Sequence, residues 1–176
     1  MPSLPSPILG FAAFSGAGKT TLLTQLIPLL KQRKYRVGVI KHSHHHIEMD
    51  QPGKDSYRLR QAGATPVMLV STLRRTVITE LDGGGALNLQ DHLDAFPIQG
   101  LDLVLIEGFR DEPYPKIEIH RPSLGKPLLY PEDEHIIAIA SDQSLTTTNK
   151  IPCLDLNDIG AIANFIIKRF LSTAHA

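Results

Sequence analysis

The chain reads as an α/β protein: a mostly parallel sheet with helices on both faces and an inserted antiparallel hairpin. Three observations predict this. Short, nearly continuous apolar runs at 8–14, 103–106 and 136–140 suit strands buried on both faces of a parallel sheet. The first run passes through a glycine-containing turn straight into a segment of helical periodicity. Between Pro66 and Glu80 the pattern changes to two short strand-forming stretches around Ser71-Thr72-Leu73, the mark of a hairpin.

Taken in order, the first helix should run from Lys19 to about Arg33, because Leu22, Leu23, Leu26, Ile27, Leu29 and Leu30 recur at helical spacing; Pro28 predicts a kink within it. Arg36 to Lys41 is the next strand. A polar loop leads to Asp55, which is placed to cap a short helix. The hairpin follows, then a weaker helix at 88–96. Leu103 to Ile106 is a fully buried strand, whereas Lys116 to His120 alternates polar and apolar and reads as half-exposed. A buried strand at 136–140 and a last one at about 151–156 complete the sheet. Asp158 then caps an amphipathic C-terminal helix built on Ile159, Ile162, Phe165, Ile166 and Phe170.

With 176 residues and 19.4 kDa, the sequence is expected to form a single domain spanning 1–176. Its 42% hydrophobic and 20% charged residues exclude disorder as the main state. No internal repeat or long linker divides it. Eighteen Lys plus Arg balance eighteen Asp plus Glu, so no global field draws the chain to nucleic acid or to an anionic membrane. Any polyanion must be held locally. No apolar run approaches the ~18 to 20 residues that span a bilayer, and no Lys or Arg precedes the first apolar run as in a signal peptide. The single cysteine, Cys153, fits a reducing compartment, and a cytoplasmic location is expected.

The chemistry concentrates in Ala13-Phe14-Ser15-Gly16-Ala17-Gly18-Lys19-Thr20, between the first strand and the first helix. Its core, Gly-x-Gly-Lys-Thr, fits a phosphate-binding P-loop, with Ala13 where the motif's first glycine stands. Chance alone would produce that core on the order of 0.01 times in such a chain. Glycines at 16 and 18 let backbone N–H groups turn toward an anion, and the helix N-terminus adds positive charge. Lys19 meets the β and γ phosphates, and the Thr20 hydroxyl is a ligand for Mg²⁺. Ser15, Gly16, Ala17, Gly18, Lys19, Thr20 and Thr21 form the nucleotide-binding set, and the fold becomes a P-loop NTPase-type sheet.

Ligands of open α/β sheets gather at the carboxyl ends of the strands. Glu107 ends its strand there, while Asp102 sits at the opposite end, so Glu107 is the better Walker-B-type acid and a second Mg²⁺ ligand. A solvated strand-end carboxylate is the alternative. Gly108 lets its own amide approach the γ phosphate, and Lys41, ending the second strand, joins the binding set. Glu107 and Asp50 are the acids expected near attacking water. For the base, a carboxylate accepts from the N1–H and N2–H₂ donors of guanine. Asp142, ending the strand 136–140, is the candidate reader, although no Asn-Lys-x-Asp motif is present and a turn role for Asp142 stands beside it. Asp155 and Asn157 are placed to share the task.

Four of the eight histidines fall in Lys41-His42-Ser43-His44-His45-His46. Such density is compatible with Zn²⁺ or Ni²⁺ binding, with a phosphate-facing or partner-facing loop, or with a solvated loop. The lone cysteine lies far away, which weakens a structural zinc site. The segment 66–80 has strand-favouring residues with few edge-capping ones, so it invites pairing with a second chain, or cover by the helix at 88–96.

Together these blocks resemble one family, the molybdopterin-guanine dinucleotide biosynthesis adaptor proteins (MobB). The resemblance covers nearly the whole chain. It rests on Phe14 to Leu22, Ile40-Lys41-His42-Ser43-His44-His45, Pro52-Gly53-Lys54-Asp55-Ser56-Tyr57, Ala62-Gly63-Ala64, Ile106-Glu107-Gly108-Phe109 and Ala140-Ser141-Asp142. It implies a GTP-binding homodimer with weak GTPase activity that assists a guanylyltransferase, which joins GMP to molybdopterin. Molybdopterin thereby becomes a candidate ligand that the residues alone do not supply. Two rivals remain at this stage: a nickel-insertion GTPase, favoured by the histidines but lacking a Cys-x-x-Cys or Cys-Pro-His element, and a small metabolite kinase.

Overall fold

The computed structural model describes residues 6–43, 47–81, 88–147 and 151–172. The elements run β1 (Ile8–Ala12), α1 (Lys19–Gln32), β2 (Val37–Lys41), α2 (Asp55–Gln61), β3 (Val67–Val70), β4 (Arg75–Ile78) and α3 (Leu89–Ala95). They continue through β5 (Leu103–Glu107), β6 (Lys116–His120), β7 (Ile136–Ser141), β8 (Cys153–Asp155) and α4 (Ile159–Ile166). Contacts divide the chain into two compact units, one of residues 1–42 and 89–176 and one of residues 43–88. Among the described residues, no helix is long and apolar enough to cross a membrane.

The first unit is built on a six-stranded sheet in the order β2-β5-β1-β6-β7-β8, parallel throughout. Its parallel strands show why the apolar runs are continuous: both faces are covered. One face, with Leu9, Phe11, Leu103, Leu105, Ile117, Ile119 and Ala138, packs with Leu22, Leu23, Leu26 and Leu30 of α1 and Ile162, Ala163 and Ile166 of α4. The other, with Ile8, Val104 and Ile106, packs with Leu89 and Leu93 of α3 and with Tyr114. Asp158 caps α4 as expected, accepting from the Ala161 amide at 2.8 Å. The first helix contains Pro28 within its span. A Pro lacks the N–H that would close one intrahelical bond, so the helix proceeds with that bond missing.

Two expectations change. The strand Lys116–His120 is buried at every position rather than half-exposed. Its polar side chains are satisfied by the segment that follows: Lys116 pairs with Asp133 at 2.8 Å, and Glu118 accepts the Leu129 and Tyr130 amides at 2.8 and 2.9 Å. Buried polar groups persist when so bonded. Asp55 is the first helical residue of α2, with extended Lys54 at the cap position and no capping side chain. Asp55 therefore acts only as an acid in the first turn.

In the second unit, β3 and β4 pair antiparallel, from Val67 opposite Ile78 to Val70 opposite Arg75, and form a two-stranded sheet of their own. Ser71 N–H donates to Arg74 O at 2.8 Å across the turn. Here Arg60 of α2 is held by Glu48 at 2.9 Å, Glu80 at 2.8 Å and Asp50 at 3.6 Å.

Candidate functional site

Because every strand of the large sheet points the same way, the carboxyl ends of β1, β2, β5, β6, β7 and β8 share one edge. The turn after β1 carries Ser15 to Gly18, with Gly16 at φ 81° and Gly18 at φ 97°. Side chains with a Cβ rarely adopt such angles. A Cβ at Gly16 would meet nothing within 4 Å, so the turn leaves open space where a phosphate would sit. Ser15, Thr20 and Thr21 are exposed around it and Ala17 is buried beneath.

Lys19 opens α1, and its ammonium lies back on the turn, 3.0 Å from Ala13 O and 3.5 Å from Phe14 O. Burial holds this amine below the ordinary lysine value; Glu107 pulls it up, and Lys41 and Arg110 push it down further. A partly desolvated cation beside the N-terminus of a helix is suited to an anion of high charge. The donor set therefore fits a nucleotide triphosphate.

Across the edge, the structure brings Lys41 and Glu107 together in an ion pair of 2.8 Å. Register explains it, since the two residues are Cα partners on β2 and β5. Glu107 O accepts the His42 amide at 2.8 Å, on the β2 side of its strand. A trans peptide turns its N–H opposite to its C=O, so the Gly108 N–H faces the β1 side, where the phosphate turn begins. Gly108 takes φ 104°, and a Cβ there would come within 2.6 Å of His42 Cβ. The Tyr114 hydroxyl donates to Gly108 O at 2.7 Å and holds the next peptide, between Gly108 and Phe109.

Asp142 directly follows β7, and its Oδ2 accepts from Arg121 Nη1 at 2.5 Å while its Oδ1 is buried without a hydrogen-bond partner. Beside it lies a cavity of about 410 Å³ lined by Ser141, Asp142, Leu154, Asp155 and Asn157, among others. Asp155 Oδ1 accepts the Asn157 amide at 2.8 Å, a local turn bond. Cys153 is exposed on the rim of the same cavity.

Asp50 lies in the second unit. Its Oδ1 accepts from Ser56 Oγ and the Gln51 amide at 2.9 Å each, and its Oδ2 faces Arg60. His42 stacks on Phe109 at 4.9 Å, whereas His44, His45 and His46 lie outside the described residues. Sequence reasoning missed Arg121 and Tyr114. The position of Arg121, directly after a strand at the ligand edge, was the available signal; Tyr114 offered none.

The model of the family described as molybdopterin guanine dinucleotide synthesis protein B matches residues 8–142. The chain is 44% identical over 163 residues to the molybdopterin-guanine dinucleotide biosynthesis adapter protein of Escherichia coli K12, covering 92% of each chain. It is 46% identical over 162 residues to the protein of the same description from Haemophilus influenzae, covering 91% of this chain and 87% of that one. A crystal structure of molybdopterin-guanine biosynthesis protein B superposes with a TM-score of 0.72 at 25% identity, over 92% of this chain and 97% of that one. The crystal structure of MobB from Bacillus subtilis agrees in fold, with a TM-score of 0.71 at 22% identity over 94% and 99%.

Proposed function

The chain belongs to the family of molybdopterin guanine dinucleotide synthesis protein B, adapters of molybdopterin guanine dinucleotide biosynthesis, and from that premise we propose that it works there as a GTP-binding adaptor. The observation that carries this reading is the phosphate turn itself. Gly16 and Gly18 hold it open, and Lys19 lies on its own carbonyls, ready to exchange them for phosphate oxygens. The backbone amides of residues 16–20 bind the phosphates, and Ser15, Ala17 and Thr21 border them. Thr20 and Glu107 are the oxygen ligands that would hold Mg²⁺, which when bound neutralises phosphate charge.

Binding would also redistribute the Lys41–Glu107 pair. A triphosphate draws Lys41 toward its oxygens and frees the Glu107 carboxylate. The Gly108 amide, facing the β1 side, donates to the terminal phosphate. Glu107 and Asp50 are the proposed acids toward attacking water. Unaided GTPases run at ~10⁻⁴ to 10⁻² per second, the upper value with an arginine supplied in cis, and a rate in that range is expected here. Asp142 reads guanine at the cavity beside it.

The proposed setting is cytoplasmic, with a molybdenum cofactor guanylyltransferase as partner and molybdopterin as a further ligand. A homodimer is proposed through β3–β4, whose outer edges are unpaired in the sheet of two strands. Titration calorimetry with GTP and Mg²⁺ tests the core of the proposal. Lys19→Ala removes a charge-assisted contact worth about 1.5 to 3 kcal/mol, weakening affinity roughly 10- to 150-fold. Unchanged affinity in the folded variant overturns the phosphate assignment. A guanylyltransferase whose product formation is unmoved by added protein and GTP overturns the adaptor role.

A further inference from the structure

Arg121 stands where β6 ends and precedes Pro122, whose ring bars the preceding residue from the helical region. Its backbone is accordingly extended, at φ −121° and ψ 107°. Strand alternation therefore sends its side chain to the face of Ile117 and Ile119, the face covered by α1. There Nε donates to Ala17 O in the phosphate turn at 3.0 Å, and Nη1 donates to Asp142 Oδ2. The guanidinium is a single rigid plane in which Nη1 points away from the Nε edge. One group thus spans from the phosphate turn at β1 to the carboxylate at the end of β7.

Two features indicate what the span is for. Arg121 occupies one oxygen of Asp142 and leaves the other, Oδ1, buried with no hydrogen-bond partner, on a residue that lines the 410 Å³ cavity. A buried acceptor without a donor is costly unless a ligand supplies one. The pair is largely shielded, with side chains 31% and 19% exposed, so water does not dilute it.

We propose that Arg121 is the positioning residue for base selection: it orients the Asp142 carboxylate toward a purine N–H donor and fixes it against the phosphate turn. This rests on the GTP reading above.

The test compares affinities for GTP, ATP and inorganic tripolyphosphate in wild type, R121A, R121K, D142N and the double variant R121A/D142N. R121A should weaken GTP by about tenfold or more, the effect of a lost charge-assisted contact. ATP and tripolyphosphate should change by about twofold or less, the scatter of independent effects. Retained tripolyphosphate binding also certifies that the turn is folded. R121K keeps the charge without the two-sided fork and should lose selectivity as well. The double variant should bind GTP no worse than the weaker single one. Selectivity unchanged in R121A and R121K overturns the proposal, as does additive loss in the double variant. Equal loss for all three ligands assigns Arg121 to phosphate binding instead and overturns it too. Wild-type protein that binds tripolyphosphate but does not prefer GTP to ATP refutes the guanine reading itself, and the role of Arg121 with it.

Discussion

The two units of the molecule are held together by different physics. In the unit of the large sheet, strands such as Leu103 to Ile106 are completely buried, with apolar contacts on both faces. In residues 43–88 no described hydrophobic residue is buried, and Val70 and Leu73 are 72% and 97% exposed. Ion pairs converge there instead on Arg60, from Glu48, Asp50 and Glu80. A lone two-stranded hairpin is marginal in water. The large sheet can therefore hold a site rigid by burial, while the hairpin carries apolar surface suited to a second molecule.

The largest expected effect sharpens this contrast. Leu105→Ala in the sheet should cost about 2 to 5 kcal/mol, the range for truncating a buried leucine. Leu73→Ala, at the exposed turn, should stay within about 0.5 kcal/mol, as surface changes do. Denaturant melts of both proteins provide the comparison. Equal losses would mean that the hairpin is part of the same core, and the contrast would fall.

Next in size is the effect on assembly. Since Ser71 and Arg74 form a bonded pair, alternation makes Leu69 with Thr76 and Val67 with Ile78 bonded as well, and turns the N–H of Val77 outward. Val77→Pro therefore removes a donor available to a second chain and spares the hairpin's own bonds. Light scattering at micromolar concentration should show the mass moving from dimer toward monomer, with tripolyphosphate affinity retained. A monomeric wild type, or a dimer indifferent to this change, would reject the hairpin interface.

How far the sequence revealed each unit follows the same division. The strands β1, β5 and β7, the phosphate turn and the Asp158 cap were legible because their signals are local: a run of apolar residues, a spacing, one capping side chain. The burial of β6 was not, since Glu118 and Lys116 are satisfied by Leu129, Tyr130 and Asp133, which nothing in the strand announces. The role of Arg121 depends on partners 104 and 21 residues away. In the hairpin, Ser71-Thr72-Leu73 marked the turn, but a strand pattern does not state which sheet it joins. The partners of Asp50, Ser56 and Arg60, come from the folding of residues 43–88, and nothing in its own loop announced them.

The smallest expected effect concerns how the two units treat charge. Asp55 of α2 leaves its side chain 97% exposed, whereas Glu118 of β6 is 1% exposed. Burial raises the Glu118 carboxyl above its ordinary value; the Leu129 and Tyr130 amides and His120 pull it down, and Asp133 adds to the rise. With the folded value above the unfolded one, the folded protein binds the proton more tightly between the two. The contribution is thus fully present below the unfolded value and lost as pH rises through the folded one. Glu118→Gln removes the titration, though its amide can accept from only one of the two backbone donors. The stability margin of wild type over Glu118→Gln should shrink as pH is raised from about 4 toward neutrality, and melts at a series of pH values read it directly. A Glu118 margin that grows with pH would show that the two amides and His120 outweigh burial, and that this strand stabilises its charge rather than tolerating it.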